Sequence, residues 1–170
     1  MNVRIKLIVA IAATAIAQIC SAAVNLELRQ IPSRSGTCAI GVYAVHDGNG
    51  TNLIASTGVI VNWDASKLSL TGATTPAIWW FSAFTDPYGI NTTWSDGDAM
   101  WAAGSMPWAP VQATMQGTLM TTLNFSVVQS GTSTISIPAT AGNGGFTVVW
   151  GGDYQGHNVT GTLGSVEVTR

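Results

Sequence analysis

The residues with chemistry to offer crowd into one stretch of thirty residues, 79–108. Asp86, Asn91, Asp96 and Asp98 fall in a single stretch, DPYGINTTWSDGD. Calcium takes carboxylate, amide and carbonyl oxygens in a flexible shell, so these four are candidate ligands for a hard cation. The D-x-[DN]-x-[DN]-G spacing of an EF-hand is missing, and the same residue types close Asx turns without metal. Asp96 and Asp98 have another reading. On an extended segment they stand on one side, about 7 Å apart at Cα, a spacing open to acid–base cleavage of a glycoside. Loop acids two apart are turn formers first, and the expectation is a chain without catalytic activity.

Aromatic residues fill the same region: Trp79, Trp80, Tyr88, Trp94, Trp101 and Trp108. Sugar rings stack on exposed indole and phenol faces because their C–H surfaces are apolar. Consecutive Trp79 and Trp80 must point to opposite sides of an extended chain, which puts one in the core and the other outside. The six residues form a candidate platform for a glycan or, equally, a protein partner. The competing reading is that these rings close one end of a core.

Other catalytic signatures are missing. The sequence has no HExxH, no G-x-S-x-G and no CxxC pair. Its two histidines share no motif: His46 sits beside Asp47 where a strand enters a turn, and His157 lies in a Gly-rich loop. Sequons at Asn91, Asn124 and Asn158 matter only in a glycosylating host.

Only 8% of the 170 residues are charged. Arg4 and Lys6 precede an apolar run, Leu7–Ile19, and Cys20-Ser21-Ala22-Ala23 offers small residues for cleavage. That order reads as a secretory signal peptide over 1–23, and the run is short for a membrane span. The expected location is extracellular. Cleavage after Ala23 leaves 147 residues, read as one domain over 24–170, with four basic residues against eight acidic ones and a net charge of −4. A basic surface for nucleic acid is excluded. Cys20 leaves with the signal, so Cys38 has no partner for an internal disulfide; as a strand residue it reads as small and buried.

These residues need a scaffold, and the pattern is β throughout. Leu53–Gly72 organises it: a β-branched run to Val61, then Trp63-Asp64, a turn, and Leu68-x-Leu70 in alternation. Asp64 is placed to bond its own backbone two residues on, and Trp63 to plug one end of a sandwich. Val24–Gln30, Cys38–His46, Asp98–Gly104, Gly117–Val128, Thr132–Ile137, Phe146–Trp150 and Leu163–Thr169 also read as strands. Asp47-Gly48-Asn49-Gly50 reads as a hairpin-like turn. In Gly117–Val128, Leu119, Thr121, Leu123, Phe125 and Val127 are expected on one face. No window beyond the leader has helical periodicity. About nine short strands with turn punctuation predict an all-β jelly-roll sandwich.

The order of features resembles a known family. Asn62-Trp63-Asp64-x-x-x-Leu68-x-Leu70 is followed by Gly89-Ile90-Asn91 and Asp96-Gly97-Asp98-Ala99. Next comes Thr118-Leu119-x-x-x-Leu123-x-Phe125, and then Gly161-x-Leu163-x-Ser165-Val166-x-Val168. This pattern is similar to that of the cohesin domains, especially secreted cohesin-like modules of environmental bacteria. The resemblance implies a nine-stranded jelly roll without catalytic activity. Its partner would be a dockerin module, bound through one flat sheet face within assemblies that degrade polysaccharides. The fold is also similar to that of some carbohydrate-binding modules, whose ligand would be a polysaccharide held on exposed Trp.

Overall fold

A computed structural model describes residues 24–85, 95–141, 145–153 and 156–170. The expected signal peptide and Asp86, Tyr88, Asn91 and Trp94 lie outside the described residues. The described chain is twelve strands without a helix: β1 Val24–Ile31, β2 Thr37–His46, β3 Leu53–Asn62, β4 Leu68–Thr74, β5 Phe81–Thr85, β6 Asp98–Gly104, β7 Val111–Gln112, β8 Thr118–Val127, β9 Thr132–Ser136, β10 Val148–Gly151, β11 Thr160–Leu163 and β12 Ser165–Thr169.

Two sheets stack. One has the order β11-β1-β2-β8-β4; the other runs β12-β9-β3-β6-β5, with β7 and β10 also paired to β3. Alternation fixes which residues meet between them. Val24, Leu26 and Leu28 of β1, Ile40 and Val42 of β2, and Leu123 and Phe125 of β8 face Val59 and Val61 of β3 and Ala99, Trp101 and Ala103 of β6 in one buried cluster. Each large apolar side chain so buried contributes about 1.5–3 kcal/mol.

The predicted strand run is largely observed, and the turn after β3 forms as expected. Asp64 Oδ1 accepts from Ser66 N at 3.0 Å, and Trp63 is buried. Three details differ. Asp47–Gly50 is no hairpin, because β2 and β3 belong to opposite sheets. The closing strand is two: Gly164 N donates to Leu26 O, while Gly164 O accepts from Ile137 N. The chain therefore leaves β11, parallel to β1, and joins β9 across the sandwich as β12. A Cβ at Gly164 would sit 2.9 Å from Leu26 O, so the crossing needs glycine. Third, a bulge opposite Val42/Tyr43 inserts Met120, which is fully buried, and turns Leu119 outward beside Tyr43.

Candidate functional site

Burial sorts the four aromatic candidates among the described residues, Trp79, Trp80, Trp101 and Trp108. Trp79 and Trp80 do point opposite ways, at 8% and 66% exposure. Trp79 Nε1 donates to Met120 O at 3.0 Å and its ring meets Trp101 edge-on, with centroids 6.0 Å apart. Trp101 is 1% exposed because it shares the inner side of β6 with Ala99 and Ala103. Trp79 and Trp101 are therefore core residues and present no face to a ligand. Trp80 and Trp108 are outside, Trp108 at 80%. With Met106 and Pro107 they line an apolar notch of about 200 Å³.

Backbone bonds hold that notch open. Trp80 N donates to Gly104 O at 2.9 Å, and Ala109 N to Met106 O at 2.9 Å, which closes the turn carrying Trp108. Phe81 lies against Gly104, where a Cβ would clash with the edge of its ring, and Trp80 meets Phe81 edge-on at 6.3 Å. Gly104 thus gives Phe81 a seat, and Phe81 orients Trp80.

The notch borders the outer face of the seven-stranded sheet. Cross-strand register places Phe81, Gly104 and Ser56 in one row and Ala83, Ala102 and Gly58 in the next. Met100 covers Gly58 from the same side. Small residues at the centre keep this face flat. Asp98 and Glu167, both acidic, are the only acidic or basic residues in the seven strands. The five strands of the opposite sheet also hold two, Glu27 and Arg29, but these pair with each other at 2.8 Å; Arg29 also bonds Gln116 O at 2.7 Å and lies 4.5 Å from the centre of the Tyr43 ring.

Of the four candidate cation ligands, Asp96 and Asp98 are described. Asp96 Oδ1 accepts from Asp98 N at 3.5 Å across Gly97, which has φ +89°; this is Asx-turn geometry at the entry to β6. Partial burial and then the nearby Asp96 carboxylate push the Asp98 carboxyl above its ordinary range. Among the described residues, no three His, Cys, Asp or Glu side chains are grouped to hold a metal ion. His157 Nδ1 pairs with Asp153 Oδ2 at 2.9 Å at an exposed site. Cys38 is buried and free; burial raises its thiol pKa, and the Arg170 guanidinium acts against that rise. No helix among the described residues is long and apolar enough to cross a membrane.

The residues not singled out from sequence are Phe81, Met106 and the small outer row of Ser56, Gly58, Ala102 and Gly104. Phe81 was legible as part of an aromatic run. The small row becomes a face only through cross-strand register.

No protein-family model and no curated protein sequence matches the chain. Solved structures do. The sixth cohesin of scaffoldin B from Acetivibrio cellulolyticus, solved with a Cel5 dockerin, is 16% identical; the match covers 85% of this chain and 97% of that one with a TM-score of 0.58. The cohesin module of a family 33 glycoside hydrolase from Clostridium perfringens is 13% identical over 87% and 96% of the two chains, with a TM-score of 0.62. A type II cohesin domain from the A. cellulolyticus cellulosome is 16% identical over 87% and 95%, with a TM-score of 0.54. The two sheets described above form a cohesin-like β-sandwich.

Proposed function

We propose that this chain is an exported, non-catalytic binding module, one domain over 24–170, whose partner is a dockerin-like protein in an assembly that degrades polysaccharides. The observation that carries this reading is the flat outer face of the seven-stranded sheet, with almost no charge and with Phe81, Trp80 and Trp108 exposed at its edge. Exposed apolar patches rimmed by polar residues mark interaction surfaces, and aromatic anchors beside a small-residue floor give a protein partner a desolvated centre. The likeness to cohesins, several solved with dockerins bound, supports the partner class.

The test is calorimetric titration with dockerin modules from the same secretome. Apolar burial without ion pairing gives a negative heat-capacity change and an affinity nearly independent of salt. An affinity that collapses as salt is raised contradicts this face as the contact.

A second reading rests on the exposed rings alone: Trp80 and Trp108 beside their notch fit a neutral polysaccharide. Retention on insoluble glycan, lost in Trp108→Ala, would favour it over the protein partner.

A further inference from the structure

The loop from His46 to Asn52 carries the chain out of β2 in one sheet and into β3 in the other. It holds an Asn-Gly pair in a specific setting. Asp47 Oδ1 accepts from Asn49 N at 2.9 Å. His46 Nε2 lies 2.9 Å from the main-chain oxygen of Asn49. A carbonyl only accepts, so this bond needs the histidine proton on Nε2. Gly48 and Gly50 have φ of +95° and +61°. Asn49 and Gly50 are exposed, and the Asn49 side-chain amide bonds none of the described residues.

We propose that Asn49 is a self-modification site, deamidating in the folded protein with His46 as the accelerating group. A solvent base takes the Gly50 N–H proton, and the nitrogen attacks Asn49 Cγ. The Cγ–Nδ2 bond breaks, and ammonia leaves after taking a proton from water. The resulting five-membered imide is opened by water at either carbonyl, giving aspartate or isoaspartate. Water enters, ammonia departs, and nothing is oxidised or reduced.

Two features of the loop favour the reaction. Gly50 has no Cβ to hinder the approach of its nitrogen to Asn49 Cγ. His46 bonds the oxygen of the very peptide whose nitrogen must lose a proton, and it draws electron density onto that oxygen as the nitrogen becomes anionic. The product places a new carboxylate two residues from Asp47. As isoaspartate it also lengthens the main chain by one atom where the chain passes between sheets. The loop then records the age of the exported molecule.

The test incubates the full chain at neutral pH, folded and in urea, and follows isoaspartate by peptide mapping. Mapping separates Asn49 from Asn143, the other Asn followed by Gly. The folded chain is expected to react at Asn49 at least as fast as the unfolded one. His46→Leu is expected to slow the folded-state rate by about two- to tenfold, the equivalent of one net hydrogen bond, and His46→Gln, which restores an N–H donor, to recover it. A folded rate below the unfolded rate, or a His46→Leu rate equal to the wild-type rate, overturns the proposal. The folded-versus-unfolded comparison needs no variant, so it decides even if His46→Leu fails to fold.

Discussion

The Trp63 indole meets the Phe125 ring edge-on, with centroids 5.4 Å apart and planes at 70°. Trp63 follows β3 of one sheet and Phe125 belongs to β8 of the other, so this contact joins the two layers where the chain crosses between them. Such an edge contact adds about 0.5–1.5 kcal/mol beyond the area it buries.

The two buried indoles differ in one bond, and that difference is measurable. Trp63 Nε1 has no hydrogen-bond partner among the described residues, whereas Trp79 Nε1 donates to Met120 O. Trp79→Phe leaves a buried carbonyl unpaired and is expected to cost about 1–3 kcal/mol more than Trp63→Phe. Trp63→Ala, which empties the site, is expected to cost about 3–5 kcal/mol. Urea unfolding of the three variants gives the order; equal losses for the two Phe variants would refute it.

Gly97 is held by conformation and by space together. It has φ +89°, its oxygen accepts from Trp63 N at 2.8 Å, and an added Cβ would lie 2.5 Å from Trp63 O. Gly36, with φ +77°, has nothing within 4 Å of the same position. Gly36→Ala should cost about 1–2 kcal/mol from backbone conformation alone, and Gly97→Ala distinctly more. Thermal midpoints of the two variants separate the clash from the dihedral.

Two carboxyls predict opposite pH trends. Asp98 is raised in the folded chain by burial and then by Asp96. The folded state therefore binds its proton more tightly, and stability falls as pH rises from the unfolded value, about 3.9, through the folded one. Asp98→Asn should stabilise the protein at neutral pH, with the gain vanishing below that window. Asp64 is lowered by the Ser66 hydroxyl and then by the Ser66 N–H. Its contribution is present above the unfolded value and is lost as pH falls through the folded one, so Asp64→Asn should lose stability at neutral pH and not in acid. Melting curves across that range check both signs.

Trp80 and Trp108 are expected to matter for binding and not for folding. Both rings are largely in solvent, so Trp80→Ala and Trp108→Ala should change stability by no more than about 0.5 kcal/mol. As edge anchors they should each weaken partner binding by about 2 kcal/mol or more. Parallel unfolding and titration measurements distinguish these effects.

Much of this architecture was legible. Leu68-x-Leu70 alternates and Val24–Gln30 alternates; one of Trp79 and Trp80 is buried and the other exposed as expected, although both sit in the bend before β5 and not on an extended strand. Trp101 was legible too, since Ala99 and Ala103 share its parity in β6; its ring type drew attention to ligands when its spacing pointed inward. Sheet assignment was not legible. The turn at Asp47–Gly50 has hairpin residues, but nothing local says whether the next strand returns to the same sheet. β5 was hidden because Phe81-Ser82-Ala83-Phe84-Thr85 breaks strict alternation and buries neither side fully, and β7, at two residues, is below any period. The small-residue face needed Ser56, Gly58, Ala102 and Gly104 brought side by side by register, a tertiary fact.

Affinity for a dockerin module is to be measured for the wild-type chain, for Ala102→Arg at the centre of the seven-stranded sheet, and for Thr122→Arg on the outer side of the other sheet. An unpaired charge buried under the partner should weaken Ala102→Arg at least about a hundredfold, roughly 3 kcal/mol, while Thr122→Arg binds as the wild type does. Loss of binding in Thr122→Arg with Ala102→Arg unaffected would place the contact on the wrong sheet and contradict the face described here.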